Sequence, residues 1–369
     1  INQFLAIFEW DVLNTKQIKQ EKIVNEYQKS KLTEIDSIHT KPDYSLVNGN
    51  AVKAYLDAKK IDVDIFKSKE AAFQVRSYGW SADLPCSFLT NFEQFVIFDT
   101  RFAPNKKDPA NTGAIQIPID RYVEESDTLE RHLNRIAVYR NNLKKIYDTT
   151  KLDGSKTVDE LFNKLLTEFR IKLANNMYQN NITSLNEEEL NYYVQIILDR
   201  IVFIRVCESK GIEKEGLLLT FLKQGFWKKF KESCYAEFYN HYDGAMFEKD
   251  VNKKFPEIVL DDDVFEEFVK QLYYPYPYIF NAIPTKVIAK VYEDFLAYSL
   301  CVKNNKIIPC LKEEYVKTNG AIPTHEFISD AICKEVLSNI TINSEYDIFN
   351  IRILDPCCGS SVFPVTIFL

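Results

Sequence analysis

Apolar and polar positions alternate in short runs along the first 125 residues. Two of these runs, 44–47 and 51–56, flank Asn48-Gly49, a dipeptide typical of tight turns, and predict a β-hairpin. The same pattern predicts strands at 87–89 and 95–98 and helices at 18–30 and 70–78, with a polar, proline-containing loop at 103–112. The N-terminal third is therefore expected to mix helices and strands.

From about residue 126 the apolar residues recur at spacings of three and four, which predicts helices through residue 272. The pattern is clearest over 191–208, and Gly211 is a plausible helix end. The Tyr- and Pro-rich segment 273–278 should end this region. A further helix is predicted at 284–300 and a short buried strand at 351–354. These changes divide the chain into 1–125, 126–275 and 276–369.

Composition narrows the class of protein. Of the 369 residues, 46% are hydrophobic and 27% charged, which is the usual mix of a globular protein with a core. No uncharged apolar run reaches the length of about 18 residues that a membrane-spanning helix needs. The eight cysteines lack C-x-x-C spacing, which favours reduced thiols in the cytoplasm over a zinc site or a disulfide framework.

The net charge is −7, whereas a protein that coats nucleic acid is usually basic. Binding to DNA phosphates needs only a local positive surface, however. The basic runs 59–60, 67–69 and 228–231 are candidates. The alternative for each run is an ordinary solvated face.

The predicted hairpin carries the first candidate chemistry. Asp43 precedes its first strand, and Asp57-Ala58-Lys59 ends its second. Side chains two residues apart on a strand share a face, so Asp57 and Lys59 should point to one side, and the turn should bring Asp43 back toward them. Two carboxylates could hold Mg²⁺ while the lysine acts on a phosphate and its attacking water. A solvated strand end is the alternative, since short D-A-K matches are frequent by chance.

The order of the surrounding motifs resembles the PD-(D/E)xK nuclease domains of type I and type IIG restriction enzymes. The matching segments are Trp10-Asp11-Val12, Asn25-Glu26, Pro42-Asp43-Tyr44, 56–60, 73–78 and 89–93. This resemblance implies that Glu26 joins Asp43 and Asp57 at the metal. It also implies that Gln74 and Tyr78, one helical turn apart and so on one face, lie beside the active site, and that Arg76 is a candidate phosphate contact.

A second motif occurs near the C-terminus. The segment 353–363, ILDPCCGSSVF, resembles the D-P-x-C-G-S-G-x-F loop that binds S-adenosylmethionine in adenine DNA methyltransferases, with Ser361 where a second glycine is usual. Residues 319–324 resemble the G-A-Y-Y-T-P segment of the same enzymes. An ordinary strand-to-helix turn is the alternative. The resemblance implies a cofactor site made by Ile322, Thr324, Asp355, Pro356, Cys357, Gly359 and Phe363.

The chain contains no (N/D)-P-P-(Y/F) tetrapeptide, which adenine methyltransferases use to hold the target base, and it stops six residues after Phe363. We therefore expect an N-terminal fragment of a type IIG enzyme. Its expected parts are an α/β PD-(D/E)xK nuclease domain (1–125), a mostly α-helical connector (126–275), and the first elements of a Rossmann-like methyltransferase domain (276–369).

The resemblance implies a cytoplasmic enzyme that cleaves double-stranded DNA with Mg²⁺ and, at full length, methylates adenine. The alternative is an adenine methyltransferase whose nuclease-like domain only grips DNA. A type I motor subunit is disfavoured because the chain has no Walker A phosphate loop.

Overall fold

The N-terminal part of the computed structural model is built on a six-stranded sheet with strand order β1-β2-β3-β4-β5-β6. The strands are β1 (Ile18–Gln20), β2 (Tyr44–Asn48), β3 (Ala51–Ala58), β4 (Cys86–Thr90), β5 (Gln94–Asp99) and β6 (Ala114–Pro118). β3 and β4 run parallel, and every other neighbouring pair is antiparallel. The structure describes residues 1–20, 41–49, 51–148, 156–181, 184–242, 246–247, 254–284, 287–288, 291, 297–303, 306–312, 324, 326–340, 350–356, 358 and 361–368.

The predicted hairpin is confirmed as β2 and β3. Gly49 in its turn has a φ of +63°, in the left-handed region that glycine adopts without steric strain. The pairing shifts by one residue between Leu46 and Val47, a β-bulge that bends the strand. The strands predicted at 87–89 and 95–98 are confirmed as β4 and β5.

Helix α2 (Lys69–Ser81) connects β3 to β4 and confirms the helix predicted at 70–78. Parallel neighbours require such a crossover. The Ser68 hydroxyl caps the helix by accepting the Ala71 amide at 3.3 Å. A Cβ at Gly79 would lie only 2.6 Å from the Thr100 side chain, so glycine permits the helix to approach the sheet closely at this point.

Alternate residues along each strand point to opposite faces of the sheet. Phe88 and Ile97 join a core with helix α1 (Asn2–Ile7) and three helices that follow the sheet. Leu89 and Phe98 join a separate core under α2. The three helices are α3 (Ser126–Leu133), α4 (Arg135–Tyr139) and α5 (Asn142–Asp148). The sheet is therefore covered by helices on both faces.

The edges of the sheet differ from the sequence prediction. Ile18–Gln20 is a strand paired with β2, so the helix predicted at 18–30 is wrong at its start; residues 21–40 lie outside the described residues. Ile18 is buried against the sheet, and this packing overrides its local helical pattern. β6, at the other edge, was not predicted, although Ile115 and Ile117 alternate around Gln116.

The helical region predicted after residue 126 is confirmed. Its later helices are α6 (Val158–Asn180), α7 (Glu187–Ser209), α8 (Leu217–Gln224), α9 (Phe226–Ser233), which continues through a π-helical turn (Cys234–Phe238), and α10 (Asp263–Gln271). Both α6 and α7 begin with capping boxes, in which Glu160 and Glu189 return a hydrogen bond to the cap residue. Aromatic side chains fill the core between these helices.

A buried carboxylate fixes the end of α7. Glu208 accepts the backbone amides of Gly216 and Leu218, each at 3.1 Å, and the Tyr273 hydroxyl at 2.7 Å. The Arg205 guanidinium lies 3.7 Å from it and stacks on the Tyr273 ring. Burial raises the pKa of Glu208, and the Arg205 charge opposes that rise. The end of α7 is thereby tied to the segment at 272–273.

The region beyond residue 276 departs from two predictions. A hairpin of β7 (Tyr298–Lys303) and β8 (Lys306–Leu311) replaces the end of the helix predicted at 284–300. The Asn191 side chain of α7 binds both the amide and the carbonyl of Leu300, which holds that strand in place.

The buried strand predicted at 351–354 is also wrong. The segment is irregular, and Leu354 is 87% exposed. No strand in the described part of the chain pairs with it, and an isolated strand is not stable. Helices α11 (Glu326–Ser338) and α12 (Val362–Phe368) flank this segment. None of the helices that the structure describes combines the length and apolar character needed to cross a membrane.

Candidate active site

Asp57 and Lys59 form an ion pair at the end of β3. Their side chains point to the sheet face that α2 covers, as does that of Tyr55. Asp57 is 3% exposed, and its Oδ2 lies 2.6 Å from the Lys59 Nζ. The Lys59 amide donates to the Thr90 carbonyl at 2.8 Å, which fixes the backbone of the lysine to β4.

Asp43 meets this ion pair from the neighbouring strand. Tyr44 pairs with Leu56, so the residue before β2 lies opposite Asp57. The Asp43 amide donates to Asp57 Oδ1 at 3.4 Å, and the Ala58 amide donates to Asp43 Oδ2 at 2.7 Å. The hairpin therefore brings together the two carboxylates that the sequence singled out.

A chain of hydrogen bonds extends from Lys59 into α2. The Lys59 ammonium donates to Gln74 Oε1 at 3.0 Å, and Gln74 Nε2 donates to the Tyr78 hydroxyl at 2.8 Å. That hydroxyl donates in turn to the Lys41 carbonyl at 3.1 Å. Gln74 and Tyr78 thus lie beside Lys59, and so at the candidate site, as the family resemblance implied. The Lys41 carbonyl, which the sequence did not single out, adjoins the same site.

The electrostatics of the site suit a divalent cation. Burial raises the pKa of Asp57 to about 6; the Lys59 charge opposes this rise and the Asp43 charge adds to it. Asp57 Oδ2 is buried. Among the described residues it accepts no hydrogen bond of good geometry, and its partner there is the Lys59 ammonium of the ion pair. Carboxylate oxygens are the ligands that Mg²⁺ prefers, so Asp43 and Asp57 fit such an ion.

A third carboxylate ligand is not available from the described residues. Among them, no group of three or more His, Cys, Asp or Glu side chains is placed to hold a metal ion. Glu26, the predicted third ligand, lies outside the described residues. Its role therefore stays a prediction.

Arg76 does not face the site. It is 2% exposed, and its Nη1 forms an ion pair with Asp108 Oδ2 at 2.7 Å. The predicted phosphate contact is therefore wrong for this structure, because the guanidinium is used inside the protein. Its partner belongs to the predicted loop at 103–112, which Arg76 ties to α2.

The predicted cofactor residues are only partly described. Asp355 and Phe363 are half-buried, while Pro356 and Thr324 are exposed; Ile322, Cys357 and Gly359 lie outside the described residues. The Cys333 thiol of α11 lies 3.8 Å from the Phe363 carbonyl, so the helices that follow the two predicted cofactor segments are in contact. Ser361 has a φ of +64°, a conformation that favours the glycine usual in the family. These residues do not define the geometry of a cofactor site.

Comparison with known proteins adds one informative match. Over 388 aligned positions the chain is 29% identical to the type II restriction enzyme and methyltransferase RM.Eco57I of Escherichia coli; the match covers 100% of this chain and 37% of that protein. The chain is a homologue of a type II restriction enzyme and methyltransferase. The resemblance drawn from the motifs is thereby confirmed, and the chain spans little more than a third of the relative's length.

Two other comparisons add little. A search against protein families found no matching model. Among solved structures, the type IIG restriction endonuclease BpuSI aligns with 100% of this chain and 35% of its own, at 12% identity and a TM-score of 0.23. That score is too low to support an argument about the fold.

Proposed function

We propose that the chain is the N-terminal part of a type IIG restriction–modification protein, and that its α/β domain is a PD-(D/E)xK nuclease that hydrolyses double-stranded DNA with Mg²⁺. The observation that carries the proposal is the convergence of Asp43, Asp57 and Lys59 at one strand end, in a homologue of a type II restriction enzyme and methyltransferase. Because all three of these residues are present, a catalytic domain is favoured over one that only binds DNA.

Each residue has a distinct role in this proposal. Asp43 and Asp57 hold the cation, with Glu26 as the proposed third ligand. Bound Mg²⁺ would polarise the phosphate and lower the pKa of water. Lys59 acts on the attacking water and on the negative charge that develops on the phosphate. Gln74 and Tyr78 fix the position of the Lys59 ammonium through their hydrogen-bonded chain.

The proposals for residues 126–369 rest on the sequence motifs described above and on the homology to a restriction enzyme and methyltransferase. We propose that 126–275 is a helical connector and 276–369 the lead-in to a Rossmann-like, adenine-specific methyltransferase domain in a cytoplasmic protein. S-adenosylmethionine would contact Thr324, Asp355, Pro356 and Phe363, together with Ile322, Cys357 and Gly359. The contact between α11 and α12 supports this arrangement because it joins the two motif regions.

Mutation of the proposed metal ligands tests the nuclease. We expect the chain to nick supercoiled plasmid with Mg²⁺, and Asp43→Asn or Asp57→Asn to reduce the rate at least about a hundredfold, since loss of one charge-stabilising group has effects of this size. Asp64→Asn is the matched control, because Asp64 is a surface carboxylate paired with Lys67. If the unmutated chain bound DNA but did not nick it with Mg²⁺, the result would instead support the alternative, a nuclease-like domain that only binds DNA.

The raised pKa of Asp57 predicts how metal binding depends on pH. A cation must displace the proton from Asp57 below about pH 6, so affinity for Mn²⁺ should fall about tenfold between pH 7 and pH 5. An aspartate with an ordinary pKa of about 3.9 would lose almost nothing over that range. Calorimetric titration with Mn²⁺ measures the difference. Equal affinity at pH 7 and pH 5 would contradict the raised pKa or the role of Asp57 as a ligand.

A further inference from the structure

The turn between β4 and β5 lies at the same edge of the sheet as the candidate nuclease site. β3 and β4 run parallel, with Ala58 opposite Thr90, so their carboxyl ends lie side by side. The Lys59 amide donates to the Thr90 carbonyl at 2.8 Å, and the Phe92 amide donates to the Thr90 hydroxyl at 3.0 Å. Because both nitrogens contact one threonine, they lie within about 10 Å of each other. Phe92 is therefore a neighbour of the proposed catalytic lysine.

The backbone conformation of Phe92 does not suit its side chain. Its φ is +80°, in the left-handed region, where a bulky side chain is unfavourable and glycine fits without strain. Phe92 is also 49% exposed, and among the described residues it belongs to none of the hydrophobic clusters. The ring therefore adds little to the core, and glycine would suit the stability of this turn better.

Hydrogen bonds on both sides of Phe92 hold this conformation. The Asn91 side chain accepts the Gln94 amide at 2.7 Å and donates to the Val63 carbonyl at 2.8 Å. The Tyr122 hydroxyl donates to the Phe92 carbonyl at 2.7 Å. The turn is thus fixed around an exposed, strained aromatic residue. Strain that the surrounding structure maintains in this way is concentrated at functional sites.

We propose that the Phe92 ring makes an apolar contact with the nucleotides beside the phosphodiester that is cleaved. This inference rests on the proposed nuclease function and extends it to a residue with no part in metal binding or hydrolysis. The separation of Phe92 from Lys59 is less than the width of the major groove, about 12 Å, so one duplex reaches both residues. Proteins that bend DNA often insert such a side chain between base steps. A phenyl ring cannot read base edges by hydrogen bonding, so the contact positions the duplex.

Replacement of Phe92 by glycine separates the effect of the ring from that of the backbone. Phe92→Gly keeps the left-handed turn and removes the ring, so the urea midpoint of unfolding should not fall. Binding of a labelled duplex should nevertheless weaken at least about fivefold, the low end of the effect of losing one contact between an aromatic ring and a base. Fluorescence anisotropy in Ca²⁺, rather than Mg²⁺ to prevent cleavage, measures the affinity. Phe92→Asn, which tolerates the same φ, should show the same loss, and Phe92→Tyr should not.

The salt dependence of binding identifies the contact as apolar. Loss of a phosphate contact changes the slope of log affinity against log salt by about 0.9, whereas Phe92→Gly should leave the slope unchanged between about 50 and 200 mM salt. Asn141→Gly is the matched control, because Asn141 also has a positive φ, +58°, and is exposed. It accepts the Lys53 ammonium near the other end of β3, so its replacement should not change the affinity for the duplex.

An affinity of Phe92→Gly equal to that of the unmutated chain would overturn the inference. If the unmutated chain still nicks plasmid with Mg²⁺ in that case, the nuclease proposal survives. A loss of affinity that Phe92→Tyr shares in full would also overturn it, because the ring would then not be the group that contacts DNA. Failure of the unmutated chain both to bind the duplex and to nick plasmid would overturn the inference and the nuclease proposal together.

Discussion

Replacing Lys59 with methionine is expected to slow plasmid cleavage by about a hundred- to a thousandfold, the usual effect of removing one group that stabilises developing charge. Methionine keeps most of the apolar stem but removes the ammonium that contacts both Asp57 and Gln74. The Lys59 side chain is 23% exposed at the edge of the site, so the fold should survive. The measurement is the initial rate of plasmid nicking under saturating Mg²⁺, with circular dichroism of the same preparation.

The pH profile of this variant separates two roles of the lysine. Because the Lys59 charge opposes the rise in the pKa of Asp57, its loss should raise that pKa further and weaken metal binding near neutral pH. If Lys59 served only to keep Asp57 ionised, a higher pH would restore the rate. We expect no such recovery for a lysine that acts on the phosphate. Lys164→Met, at an exposed lysine of α6 that is paired with Glu168, is the matched control. Full activity of Lys59→Met would remove the lysine from the mechanism.

The hairpin and its chemistry could be predicted from sequence because both are local. Asn48-Gly49 determines the turn, and the turn determines that Asp43 lies opposite Asp57. The strands at the sheet edges could not be predicted in the same way. Ile18–Gln20 is extended because β2 offers it unpaired backbone groups, and no short-range pattern contains that partner.

The placement of a charged residue can likewise depend on a contact that is distant in sequence. The sequence marks Arg76 as a candidate phosphate contact, yet in the structure it is buried and paired with Asp108. Only the packing of α2 against the loop at 103–112 decides this outcome. The strand predicted at 351–354 failed for a related reason, since a strand requires a neighbour and the described residues supply none.

Replacing Glu208 with alanine is expected to destabilise the chain by about 3–5 kcal/mol, because it leaves the buried Arg205 guanidinium without its carboxylate. The substitution also removes the acceptor of two backbone amides and of the Tyr273 hydroxyl, so the α7–273 junction loses most of its polar contacts. Urea unfolding followed by far-UV circular dichroism measures the change. Glu208→Gln should be less severe, since its amide oxygen can still accept hydrogen bonds.

Glu232→Ala is the control for this prediction, because Glu232 forms exposed pairs with Lys228 and Lys229, and such pairs contribute at most about 1 kcal/mol. A loss of stability in Glu208→Ala no larger than in Glu232→Ala would mean that the buried carboxylate does not hold the helical region to the segment at 272–273.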